Sequence, residues 1–127
     1  MEITPLLYVE EIEPALHFWE ERLGFEREAE VPEGDRLGFV ILAGNGARVM
    51  YQTRESVRND VPELADIPMG GTFLYVAVDD LDGIARRLEG VPPVVPRRRT
   101  FYGADELIVR EPAGNVVTFA QLPEGSV

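Results

Sequence analysis

The chain repeats itself. A run of strand, helix and three strands fills the first half and returns in the second. Positions match at a fixed separation of 69: Val9 with Val78, Ala15 with Ile84, Trp19 with Leu88 and Gln52 with Gln121. No other feature of the 127 residues narrows the choice of fold as far. A duplicated unit folds the same way twice, and each copy must cover the apolar side of its sheet.

The repeat is legible element by element. Ile3 to Val9 is apolar and β-prone. Pro14 suits a first helical position, and Ala15, Phe18, Trp19, Arg22 and Leu23 recur at helical spacings up to a terminating Gly24. Strands are predicted over 25–31, 36–42 and 47–53, separated by the turn-forming segments PEGD and AGNG. Residues 54–71 form a polar connector with a short helix predicted over 56–65. In the second half a strand is predicted over 72–78. Asp79 or Asp80 then caps a helix with apolar positions Leu81, Ile84, Ala85 and Leu88, ending at Gly90. Strands follow over 94–99, 105–110 and 116–122. The expected fold is α+β: one domain over 1–127, with tandem βαβββ modules at 1–53 and 72–127. Their curved mixed sheets are expected to enclose a cleft, with the helices outside.

Charge and composition exclude several functions. The formal net charge is −11, and nucleic-acid binding needs the opposite, a basic face that displaces counterions. An acidic surface instead speeds encounter with cations. No run of eighteen apolar residues offers a membrane span. The start, MEITPLLYVEE, has no basic flank of the kind a secretory signal carries. With no cysteine there is no disulfide framework, and a cytoplasmic location is expected. The only histidine, His17, falls on the helix side opposite the core, where Glu21 can pair with it at i,i+4. A wet helix residue is the expectation there.

The segments LYVEEIEPALHFWEERLGF, LYVAVDDLDGIARRLEG and FYGADELIVREPAGNVVTF together resemble the vicinal oxygen chelate superfamily. That group includes glyoxalase I, bleomycin-resistance proteins, fosfomycin-resistance transferases and extradiol dioxygenases. The resemblance covers nearly the whole chain and implies the same paired βαβββ modules. It also implies, for metal-using members, four ligands drawn from His, Gln or Glu, two per half. Such a metal acts as a Lewis acid on substrate oxygens. Carried over through the resemblance, the four positions read Thr4, Val49, Phe73 and Thr118. None is a first-choice ligand, so neither a metal nor another cofactor is expected.

Alternation along strands then sets the side chains expected to line the cleft. They are Thr4, Leu6, Tyr8, Val49 and Tyr51 from the first half, and Phe73, Tyr75 and Thr118 from the second. This lining is apolar and aromatic with a few hydroxyls, as small-molecule pockets usually are. The run Arg97, Arg98, Arg99 stands out in so acidic a chain. Arg97 and Arg99 share one face; with Tyr102 they are candidate contacts for a ligand carboxylate, or else they neutralise nearby acids.

The resulting expectation is a metal-independent small-molecule-binding protein. By its resemblance to bleomycin-resistance proteins it would sequester a cationic or aromatic compound, as a homodimer. No Ser/His/Asp set supports metal-free catalysis, so no catalytic residue is assigned. A lyase, isomerase or dioxygenase with unusual metal ligands, and a structural or regulatory dimer with a filled cleft, remain alternatives.

Overall fold

A computed structural model describes residues 1–124; residues 125–127, the end of the second expected module, lie outside the described part. The chain divides into two compact units. One comprises Met1–Gly70 with Pro112–Gly114, the other Gly71–Glu111 with the residues from Asn115 onward.

The first unit holds strand β1 (Leu6–Val9), a helical turn α1 (Glu13–Leu16) and a π-helical continuation (His17–Arg22). Strands β2 (Glu26–Glu33), β3 (Arg36–Gly44) and β4 (Ala47–Thr53) follow, then helix α2 (Arg54–Asp60) and a 3-10 turn (Pro62–Leu64). The sheet order is β1-β4-β3-β2. Strands β1 and β4 run parallel, and β3 is antiparallel to both β4 and β2. Parallel neighbours need a long crossover, so β1 and β4, the first and last strands of the module, lie side by side.

The helix differs from the regular one that the spacing predicts. Pro14 starts it as expected, but from His17 the turn widens. The closing bonds run from Gly24 N–H to the Glu20 carbonyl (3.1 Å) and from Phe25 N–H to the Trp19 carbonyl (2.9 Å). Gly24 takes φ 75°, a left-handed geometry that glycine adopts without a Cβ clash. The wider turn still sends Phe18, Trp19 and Leu23 into the core with Leu7, Val9 and Leu42. Trp19 meets Phe18 edge-on at 5.1 Å and Phe25 at 5.0 Å. Its indole N–H donates to the Tyr51 hydroxyl at 2.8 Å in the buried interior.

The second unit repeats the scheme. It contains β5 (Phe73–Ala77), α3 (Leu81–Arg87), a two-residue β6 (Arg98–Arg99), β7 (Asp105–Arg110) and β8 (Val116–Gln121). The sheet order is β5-β8-β7-β6, with β5 and β8 parallel. Asp80, not Asp79, caps α3 by accepting the Gly83 N–H at 3.0 Å, and the Gln121 side chain accepts the Leu81 N–H at 2.9 Å. Helix α3 packs on β7 and β8, with Leu81, Leu88, Val109, Val117 and Phe119 buried. The EPAGN turn is closed by a buried clamp. Glu111 accepts the Asn115 N–H at 2.7 Å, and Asn115 Oδ1 accepts the Thr72 N–H at 3.0 Å. The expected α+β fold of mixed sheets is therefore present in each unit. Strand 94–99 shrinks to Arg98–Arg99, preceded by an isolated bridge between Pro93 and Val109.

Replacing Tyr51 by Phe leaves the Trp19 N–H buried without this partner. A loss of about 1–3 kcal/mol in denaturant unfolding is expected. A variant as stable as the parent would show that the hydrogen bond contributes nothing net.

Candidate functional site

Strand pairing decides which side chains share a face. In the first sheet Leu6 pairs with Met50, Tyr8 with Gln52, and Met50 in turn with Ile41. Leu6 and Tyr8 lie on the face turned away from α1, as expected. Val49 and Tyr51 do not. They are 3% and 0% exposed, and Tyr51 bonds to Trp19 of the helix. The correction is one residue, so the counterpart of Thr118 is Met50 rather than Val49. Leu6 meets its parallel partner 44 positions on, whereas Tyr75 meets Thr118 only 43 positions on. A constant offset of 69 overlooks that difference. Gln52 likewise matches Ala120, because it faces Tyr8 as Ala120 faces Ala77.

Thr4, half-buried, lines a cavity of about 560 Å³ with Glu2, Ala43, Gly44, Ala47 and Arg48. Arg48 bridges Glu2 (2.7 Å) and Glu28 (2.9 Å) at its rim.

On the second sheet, β5 presents Phe73 and Tyr75 away from α3, and they are 77% and 53% exposed. Tyr75 pairs with Thr118, Thr118 with Ile108, and Glu106 with Ala120, so all five share this face. Tyr102 joins them from the hairpin between β6 and β7. Gly103 N–H donates to the Thr100 carbonyl (3.0 Å), and Gly103 takes φ 86°. Thr100 N–H donates to the Ala104 carbonyl (2.8 Å), while Ala104 N–H donates to Thr100 Oγ1 (3.0 Å). This turn holds Phe101 edge-on to Tyr102 at 5.1 Å, with Phe101 fully exposed.

Beneath the aromatic rings lies Glu106, only 3% exposed. Its Oε1 accepts from Arg98 Nε (3.1 Å) and Nη2 (2.9 Å), and its Oε2 accepts from the Tyr102 hydroxyl (3.1 Å). The Tyr102 and Tyr75 hydroxyl oxygens lie 3.4 Å apart. The Tyr102 hydrogen bond, with desolvation second, pushes the Tyr75 phenol up to about 12.

The arginine run alternates as expected, but with its faces exchanged. Arg98 joins the aromatic face. Arg99 pairs with Asp105 (3.1 Å), and Arg97 reaches Asp82 of α3 (2.8 Å), on the helix side. Arg97 and Arg99 are therefore not brought to this site, and Arg98 and Glu106 are. The missed signal is the hairpin itself. A turn centred on Tyr102 pairs residue 98 with 106 and joins opposite charges.

The positions that the resemblance marks for metal ligands are Thr4 and Met50 in one unit and Phe73 and Thr118 in the other. They supply two hydroxyls, a thioether and a phenyl ring, with no carboxylate or imidazole. This donor set does not fit the divalent ions such sites hold. Among the described residues no group of three or more His, Asp or Glu is arranged to hold a metal ion. His17 pairs with Glu21 on the exposed side of the helix. No helix of the described residues is long and apolar enough to cross a membrane.

A sequence model of the Glyoxalase/Bleomycin resistance protein/Dioxygenase superfamily matches residues 3–119. A search of curated protein sequences finds no match. Among solved structures, the bleomycin-binding protein from bleomycin-producing Streptomyces verticillus, complexed with copper(II)-bleomycin, is 25% identical. That match covers 98% of this chain and 97% of the other, with a TM-score of 0.65. Lactoylglutathione lyase from Agrobacterium tumefaciens matches at 22% identity over 95% of this chain and 92% of the other, with a TM-score of 0.74. TioX from Micromonospora sp. ML1 matches at 19% identity over 97% and 99%, with a TM-score of 0.75. The last two likenesses bear on the fold alone.

Replacing Tyr102 by Phe removes the main cause of the Tyr75 shift. A phenolate titration followed by NMR of ring-labelled tyrosine should then show the Tyr75 midpoint falling toward the ordinary phenol value. An unchanged midpoint would mean that burial, not the Tyr102 bond, dominates.

Proposed function

The chain belongs to the Glyoxalase/Bleomycin resistance protein/Dioxygenase superfamily, and on that premise we propose that it binds an organic small molecule without a resident metal. The observation that carries this reading is the aromatic face of the second sheet. Phe73, Tyr75 and Tyr102 stand exposed there above a buried carboxylate. Rings in that setting stack on planar ligands and attract cations through their π-faces. The net charge of −11 favours a cationic ligand at long range. The donor set at the superfamily's metal positions supports binding rather than metal-assisted catalysis. The similar bleomycin-binding protein from Streptomyces verticillus is complexed with copper(II)-bleomycin, which makes a cationic, ring-bearing compound the first class to try.

Thr118, on the same face, is proposed as a further ligand contact, and Thr4, Leu6 and Tyr8 as contacts on the first unit's own uncovered face. Arg97 and Arg99 drop out of the contact set, as do Val49 and Tyr51. The reading includes a homodimer, because rings as exposed as Phe73 gain from cover by a second copy. It also includes a cytoplasmic location and no nucleic-acid or membrane partner, on charge and the absence of cysteine.

A thermal-shift panel of cationic aromatic compounds, bleomycin included, tests the reading. For a compound that stabilises the chain, Phe73→Ala and Tyr75→Ala should each weaken calorimetric binding by about 1–3 kcal/mol with the melting temperature of the free protein unchanged. Its on-rate should fall between low and physiological ionic strength, as screening shortens to about 8 Å. Stabilisation by divalent ions and by no organic compound would favour the metal-enzyme alternative.

A further inference from the structure

The polar groups on the aromatic face form one directed chain. Arg98 donates twice to Glu106 Oε1, Tyr102 donates to Glu106 Oε2, and the Tyr75 oxygen lies 3.4 Å from that of Tyr102. A phenol has one hydrogen, a guanidinium only donates and an ionised carboxylate only accepts. The hydrogen of Tyr102 is committed to Glu106. At the contact between the two phenols, Tyr75 is therefore the donor. Every hydrogen in the chain points inward, toward the buried carboxylate. At the outer end remains the Tyr75 oxygen, half-exposed, with lone pairs to offer and no hydrogen to give.

We propose that Tyr75 is a specificity-determining acceptor. It selects ligands that present an N–H or ammonium donor to the aromatic face, and it disfavours those that present a carbonyl or carboxylate oxygen there. The inference rests on the small-molecule-binding reading and adds to it the polarity of the ligand. Two physical arguments agree. A hydrogen bond raises a phenol's pKa when the protonated form makes it, and the Tyr102 bond is the first cause of the rise at Tyr75 to about 12. Donation along a chain that ends on a charged group also strengthens each oxygen as an acceptor. The turn that carries Tyr102, braced by Thr100 and Gly103, sets its hydroxyl against Glu106, and the carboxylate, which only accepts, sets the direction.

The test uses neutral probes, because the net charge alone would favour any cation. Indole and 1-methylindole are close in shape and differ by one N–H. Their dissociation constants are measured by protein-observed NMR for the parent, Tyr75→Phe and Tyr102→Phe. The parent should prefer indole by about threefold to tenfold, the range one net hydrogen bond supplies. Tyr75→Phe should bind 1-methylindole as before and lose the preference. Tyr102→Phe breaks the link between the two phenols, so the preference should shrink. Equal binding of both probes by the parent, or a preference that survives Tyr75→Phe, overturns the inference and leaves the binding reading intact. If neither probe binds at any soluble concentration, the inference and the aromatic-face reading fail together.

Discussion

The parallel pairing of first and last strands in each module is the constraint on which the rest depends. Parallel neighbours cannot be joined by a hairpin, so a crossover must pass over one face of the sheet. In the first unit α1 and its π-helical extension make that crossover, and in the second α3 does. The covered face becomes core. The other face keeps whatever the alternate residues of the same strands carry. Trp19 and Tyr51 belong to the covered side of one sheet, and Tyr75 and Glu106 to the opposite side of the other. Structure and candidate function are thus separated by the pleat of the strands rather than by distance along the chain.

That separation explains what the second unit can offer. A carboxylate as buried as Glu106 is costly without partners. Arg98 and Tyr102 supply three hydrogen bonds to it. Because the carboxylate is satisfied from within, it orients the phenols instead of meeting a ligand directly. The result is an apolar surface with one oriented polar point, a common design for recognising small molecules. Phe73 and Thr118, at two of the positions that the resemblance marks for metal ligands, suit this surface and not a divalent metal ion.

Much of this was legible in the sequence. The duplication implied two βαβββ modules, and the bounds of β4 and β7 match expectation to the residue. Helix caps, turn glycines and core stripes follow from local chemistry, which neighbouring residues determine. The errors lie where a long-range register decides. One residue more between paired strands in the first half moves Val49 and Tyr51 from the expected face to the core, because a shift of one reverses every side chain. The same rule exchanged the arginines. Their alternation was readable, but which face each took depended on the pairing of Arg98 with Glu106 across a hairpin. The π-helical widening after Leu16 left no mark on the hydrophobic spacing, since Phe18, Trp19 and Leu23 reach the core either way.

We propose that this superfamily member binds an organic ligand without a resident metal ion. Native mass spectrometry of untagged protein purified without chelator tests it most directly. Bare chains, or chains carrying an organic adduct, and no stoichiometric divalent ion are expected. One divalent ion per chain, retained through purification, would contradict it.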